Sequence, residues 1–283
     1  MDKRTGEKLM VNICAIITCY NRKEKTKNCI QSLVMNNVEI NFSFVIVDDN
    51  STDGTFELLN EMKKDYNIHL IRGNGSLYYS GGMRKGMKYV KANFDTGYEY
   101  ILLINDDVLF FSESIPQLIE QSIQQHSAIV VGATCDNENQ ITYGAIKYIK
   151  GFRYNLLSIN EWNLCADTFN ANCVLIPRRA FEDIDVIDKH YLHSLGDFDY
   201  GLSLRKAGYK IYSSKFFVGI CEPNSEEGTW LDKTLPPGER IKKKECVKGA
   251  PIKQWFYFLK KNFGIISAFR GCLTPYIRIL IRK

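Results

Sequence analysis

Between residues 11 and 132, short apolar runs rich in β-branched residues alternate with stretches of helical periodicity, and few architectures accept that alternation. Residues 11–18, 44–47, 68–71, 100–104 and 128–132 read as strands. The intervening segments 22–35, 51–64, 82–92 and 115–125 read as helices: Cys29, Ile30, Leu33 and Val34 share one helical face, and STDG at 51–54 resembles an N-cap. Strands separated by helices predict an α/β fold with a mostly parallel, doubly wound sheet. Beyond Gly132 the pattern turns mixed, with strand-like ITYGAIKYI at 141–149 and a buried-looking run at 173–176. A helix over 198–206 follows, ended by Gly208, and then a last strand pair over 209–220. At 283 residues and 45% hydrophobic content, one substantial core can be buried. The expected organisation is one large domain over 11–223 with an appendage.

Three of these runs end in acids: FVIVDDNSTDG at 44–54, YILLINDDV at 100–108 and LGDFDYGLSLRKAGY at 195–209. Ligands of α/β proteins bind at strand ends, so carboxylates gathered there read as a site for a polyanion and a metal. Adjacent acids at a strand end cannot both be buried at neutral pH without partners. Asp53 is expected to cap a turn and the helix over 51–64, and Asp48 reads either as such a cap or as part of the acidic site. A diphosphate brought beside the second cluster calls for Mg2+ or Mn2+ bridged by hard oxygen ligands, with Asp107 the direct one and Asp106 beside it. The segment RGNGSLYYSGGM at 72–83 holds Gly73, Gly75, Gly81 and Gly82, which permit positive φ and close backbone approach. It reads either as a wrap around a nucleotide or sugar or as a plain connection to the next helix. The Walker lysine spacing is missing.

Taken in order, VNICAIITCYNR, VIVDDNSTDGT, LLINDDV and GDFDYGLSLRKAGYKI resemble family 2 glycosyltransferases of the GT-A fold over residues 11–220, in particular those of bacterial O-antigen and capsule assembly. The resemblance implies inverting transfer of a hexose or deoxyhexose from a nucleotide-diphosphate sugar to a glycan hydroxyl. Thr18, Tyr20 and Asn21 would line the nucleotide pocket, and Asp49 would accept the imide N–H of a pyrimidine, pointing to UDP- or dTDP-sugars. Arg72 and Gly81 would run beside the donor, and Asp106 would meet ribose or metal-bound water. Asp197 would be the base that takes the acceptor proton. Asp199, about 200° further around a helix, cannot face the same atom; it and Arg205 would fix the helix or meet phosphate.

Three positions depart from the family pattern. Asn105 stands where another acid is common, and Gly196 where a glutamate is. No histidine lies between Val218 and Trp230 to serve as a later metal ligand, leaving Glu222 as a substitute. The four histidines form no metal set. With no GxSxG and no Cys/His arrangement, direct displacement is expected over a covalent intermediate. The rival readings are a sugar-nucleotide nucleotidyltransferase, whose phosphate loop needs glycine that CYNRKEK lacks, and a non-catalytic nucleotide- or glycan-binding protein.

The ends carry a different message. Residues 1–10 are a polar extension, followed by no apolar run long enough for a signal peptide or the ~20-residue span of a membrane helix. Nine cysteines without a CxxC pair predict reduced thiols and a reducing compartment. Residues 241–283 hold eight Lys and three Arg against Glu245 alone, so this tail carries +10 of a net +5 and the rest of the chain −5. The segment 224–249 reads as a loop or lid, with Trp230 facing sugar. In 250–283, Trp255, Leu259, Phe263 and Ile266 recur at helical spacing among basic residues, interrupted later by Gly271 and Pro275. A basic amphipathic helix of this kind is expected to lie on the inner face of the cell membrane, where a polyisoprenoid-linked acceptor would be found. Nucleic acid is not expected, since no RNA-binding motif accompanies the charge.

Overall fold

The computed structural model describes residues 10–94 and 97–281, so all of the polar extension but Met10 lies outside the described residues. In chain order the first half comprises β1 (Val11–Cys19), α1 (Lys23–Met35), β2 (Ile40–Asp48), α2 (Thr55–Met62), β3 (Asn67–Arg72), α3 (Tyr78–Asn93), β4 (Tyr100–Asn105), β5 (Leu109–Phe110), α4 (Ser114–Gln124) and β6 (Ile129–Cys135). There follow β7 (Ile141–Tyr143), β8 (Ala145–Lys150), β9 (Arg153–Leu156), β10 (Thr168–Phe169), β11 (Cys173–Pro177), α5 (Arg178–Asp183), α6 (Gly196–Lys206) and β12 (Ile211–Ile220). Three helices close the chain: α7 (Pro237–Glu245), α8 (Ile252–Phe263) and α9 (Ile265–Leu280).

Among the described residues, the main sheet runs β3-β2-β1-β4-β11-β6-β12-β5, with β7 on β6. The strands β1 to β4 are mutually parallel, β11 is reversed between β4 and β6, and β12 returns parallel to β6. A small antiparallel sheet, β10-β8-β9, stands apart. The expected mostly parallel sheet is thus what forms, and the small second sheet is antiparallel throughout.

The apolar runs read as continuous because both faces of the central strands are covered. Along β1, Ile13, Ala15, Ile17 and Cys19 meet α1, α2 and α4, while Cys14 and Ile16 point to the opposite layer, where Met83, Met87 and Val90 of α3 and Tyr200 and Leu204 of α6 pack. The crossing of α3 over β1 is close: a Cβ on Gly86 would lie 2.7 Å from Ile16 Cγ2, and one on Gly82 2.0 Å from Thr18 Oγ1. That closeness corrects the reading of 72–83. Gly81 and Gly82 are helical residues of α3, and of the four glycines only Gly75 takes a positive φ, 83°.

Three further expectations change. The strand pair over 209–220 is the single strand β12, with register irregularities near Phe217 in place of a turn. The segment 224–249 is not all loop, since it contains α7, which packs on α9. The tail is two helices broken at Gly264 (φ 86°), and Trp255, Leu259 and Phe263 face inward, packing with Tyr191, Phe198 and Leu202. Gly271 and Pro275 do not interrupt α9. A Cβ on Gly271 would lie 2.4 Å from Leu259 Cδ1 and 2.9 Å from Phe152 Cε1, so glycine lets α9 pack closely there. Pro275 cannot donate to the carbonyl of Gly271, but Trp255 Nε1 donates to it instead, at 3.1 Å. No helix among the described residues is long and apolar enough to cross a membrane.

Candidate active site at the carboxyl edge of the sheet

Strand register gathers the acidic clusters on one edge. Cys19 pairs with Asp48, Thr18 with Asn105 and Asp48 with Arg72, so β1, β2, β3 and β4 all end at the same level. Because β11 is antiparallel, its beginning lies at this edge too, and Asn105 N donates to Asn172 O at 3.1 Å.

Thr18 closes β1 with its hydroxyl on Val47 O, 3.3 Å away. Tyr20 is 53% exposed just beyond it. Asn21, at φ 52°, accepts from Thr52 N at 2.7 Å, which ties the turn after β1 to the turn after β2. Asp48 accepts from Ser51 N, and Asp53 from Lys23 N and Thr55 N, so both brace turns, as foreseen for Asp53. Asp49 is more heavily used than expected. One of its oxygens accepts from Gly75 N (2.9 Å) and the other from Leu77 N (2.8 Å) and Tyr78 N (3.0 Å), so it organises the entry to α3. Of the four lone-pair sites a carboxylate offers, one remains for a base. Arg72 lies half-exposed at the end of β3, over the ring of Phe56 and 3.9 Å from Glu57, and Gly81 N donates to Leu192 O.

Asp106 and Asp107 follow β4 and share a cation that sequence reasoning missed. Arg22 Nη1 lies 3.0 Å from Asp106 Oδ1 and 2.7 Å from Asp107 Oδ2. The signal was present, since two adjacent acids at a strand end demand a counter-charge and CYNR ends in one. Even so, burial, aided by Asp107 and opposed by Arg22, pushes the Asp106 carboxyl up to about 6. Cys221 donates its thiol to Asp107 Oδ1 at 3.6 Å.

Asp106 and Asp107 are the oxygen donors that Mg2+ or Mn2+ prefers, and such ions keep waters and take substrate phosphates for the rest of the shell. No group of three His, Cys, Asp or Glu able to hold a metal occurs among the described residues. Glu222, expected as a substitute ligand, accepts from the Asn137 side chain and backbone instead. The pair therefore fits a divalent ion that arrives with a diphosphate, and such an ion must take these oxygens from Arg22.

Asp197 opens α6: Ala171 N, in the link between β10 and β11, donates to it at 3.3 Å, and its neighbour Phe198 N at 2.9 Å. Burial pushes its carboxyl up to about 6 against those two amides, and its charge is felt by Tyr79, Tyr148 and Tyr154. A carboxylate tuned there can take a proton near neutral pH. Asp199 does other work, accepting from Lys261 Nζ (2.6 Å) and Asn262 Nδ2 (2.8 Å) of α8. Arg205 pairs with Asp167 and donates to Ala166 O, fixing the helix rather than facing the edge. Trp230 lies against the tail, with its carbonyl on Arg240 Nε. His193, whose Nδ1 has no partner, is pushed down to about 4 by burial, with Lys248 and Arg22 adding to the effect.

If Asp197 is the base, kcat/KM is flat above pH about 6 and falls tenfold per unit below it, because the protonated carboxyl cannot accept. A pH-rate profile of Asp106→Asn checks the source: the acid limb persists if it belongs to Asp197 and disappears if it belongs to Asp106.

The family model for glycosyl transferase family 2 matches residues 14–185. Among similar curated proteins, the poly(ribitol-phosphate) beta-glucosyltransferase of Bacillus spizizenii is 27% identical over 177 residues, 61% of this chain and 25% of the relative. The dolichol-phosphate mannosyltransferase of Pyrococcus furiosus is 22% identical over 71% of this chain and 51% of its own length. The chain thus spans a quarter to a half of the length of these two relatives. Among solved structures, the mannosyltransferase PcManGT of Pyrobaculum calidifontis, in complex with GDP-Man and Mn2+, superposes with a TM-score of 0.60 at 13% identity, covering 95% of this chain and 74% of that one. The TarS 1-349 fragment of S. aureus with UDP-GlcNAc gives 0.59 at 13% identity, covering 95% and 81%. These two likenesses establish the GT-A architecture. The match over 14–185 exceeds half of the chain, and the protein belongs to glycosyl transferase family 2.

Proposed function

We propose that this chain is an inverting, divalent-metal-dependent glycosyltransferase that moves a sugar from a UDP- or dTDP-linked donor to a hydroxyl of a lipid-linked glycan in cell-surface polysaccharide assembly, working at the cytoplasmic face of the membrane. The observation that carries it is the placement of Asp197, with its carboxyl raised to about 6, at the same sheet edge as the Asp106–Asp107 pair. A base and a diphosphate site on one edge favour in-line displacement.

Asp107 and Asp106 would hold Mg2+ or Mn2+, which supplies Lewis-acid stabilisation of the departing diphosphate. The chain's own residues do the rest. Arg22, freed from the two carboxylates, offers a guanidinium to the diphosphate oxygens. Asp49, anchored by three amides, presents its remaining lone pair to the base, and Thr18, Tyr20, Asn21, Arg72 and the first turn of α3 border the nucleotide. Asp197 takes the acceptor proton as the hydroxyl attacks. The membrane is met through the basic tail.

Thermal unfolding with UDP, dTDP, GDP or CDP, each with and without Mn2+, tests the donor site. At about 100 times Kd a ligand adds about 2.7 kcal/mol, or roughly 5–10 °C in Tm for a chain of this size. A Mn2+-dependent rise with UDP or dTDP is expected. No rise with any nucleotide overturns the transferase reading in favour of a non-catalytic protein of the same fold.

A further inference from the structure

The sheet edge leaves the last helix unexplained. On α9, Ile266, Phe269, Leu273, Ile277 and Leu280 are 53–67% exposed, although their neighbours Ala268, Cys272, Pro275 and Ile279 are buried. Steps of three and four residues align the exposed five in a single apolar stripe, of the kind that marks an interaction surface. The stripe shares only Ile266 with the one read from sequence, whose other members Trp255, Leu259 and Phe263 are turned inward.

Near its end the stripe meets a cavity of about 480 Å³ walled by Trp230, Lys233, Arg240, Arg278 and Ile281, with Glu226 the one acid. Arg240 is only 2% exposed, and its Nε donates to Trp230 O at 2.8 Å. Asp232 feels its charge, yet Lys233, Arg240 and Arg278 form no ion pair among the described residues. Buried cations are ordinarily paired, and Arg240, buried and without an ion pair, faces a cavity whose rim carries the exposed Lys233 and Arg278, so three positive charges converge on a place for an anion.

We propose that stripe and cavity form one seat: α9 lies in the interface of an anionic bilayer, and Lys233, Arg240 and Arg278 take the phosphate of a lipid headgroup. Charge complementarity selects this occupant over a second copy of the chain, because residues 241–283 carry +10 and two copies would bring like charges together. The inference rests on the proposed membrane attachment and specifies which residues make it; it does not depend on the donor or the reaction.

Co-sedimentation of the full chain tests it, with vesicles of equal parts phosphatidylglycerol and phosphatidylcholine against phosphatidylcholine alone. The chain should bind the anionic vesicles at least about tenfold more tightly. Phe269→Ser with Leu273→Ser, and separately Lys233→Gln with Arg278→Gln, should each weaken that binding by about tenfold or more. All four side chains are at the surface, so an unchanged Tm verifies the fold. Variants that bind like the parent chain overturn the seat but leave membrane attachment standing. A parent chain that binds neither vesicle overturns both, and leaves the nucleotide-stabilisation test of the transferase untouched. If the stripe variant instead dissolves a dimer in gel filtration, or inorganic phosphate raises Tm without vesicle binding, the occupant is a second copy or free phosphate and the proposal fails.

Discussion

Asp197→Asn is expected to lower transfer by about 10²–10⁴-fold and to leave the Mn2+-dependent stabilisation by nucleotide unchanged. The range is what a positioned base contributes, and the substitution removes little else. Asparagine keeps an oxygen for Phe198 N, the shorter of the two amide contacts, and turns its NH2 toward the longer one at Ala171. Neither contact involves Asp49 or Asp107. Asp199, two residues on, cannot take over, because it is engaged by Lys261 and Asn262. Single-turnover rates beside Tm shifts separate the two effects. Transfer at the parent rate would remove Asp197 as the base, and loss of nucleotide stabilisation would make its role structural.

Local pattern was enough to read the sheet because β1, β2 and β4 are buried on both faces and so announce themselves as unbroken apolar runs ending in acids. The same pattern put Asp106 and Asp107 at a strand end, whereas Asp197, which opens α6, was read from the resemblance to the family motif. What escaped was pairwise and distant. Arg22 reaches acids 84 and 85 residues away, and only the folded register of β1 against β4 reveals that contact. Gly81 looked like a loop residue because glycine permits positive φ, whereas it is helical in α3, and Gly82 beside it serves by the absence of a Cβ where α3 crosses Thr18. In the tail, helical spacing identified an apolar face but not which side of which helix is covered. Gly264 rotates α9 relative to α8, so the aromatic residues of α8 enter the core and the aliphatic stripe of α9 is left outside.

Asp199 shows why spacing alone cannot choose between two carboxylates, and its replacement is the second large effect. Its side chain is 2% exposed and accepts from Lys261 and Asn262, so it joins α6 to α8. Removing one partner of a buried pair costs about 3–5 kcal/mol. Lys261 is one-third exposed and keeps Asp188 at 3.0 Å, which puts Asp199→Ala at the lower end, about 3 kcal/mol. For a chain of this size that corresponds to roughly 6–12 °C in Tm. Undocking α8 also exposes Gly264 and the inward aromatics, so proteolysis should clip the tail first. Measured well below Tm, transfer should stay within about threefold of the parent, since Asp197 and the strand edge that holds it are not touched. The opposite pattern, abolished transfer at an unchanged Tm, would exchange the roles of the two carboxylates and make Asp199 the base.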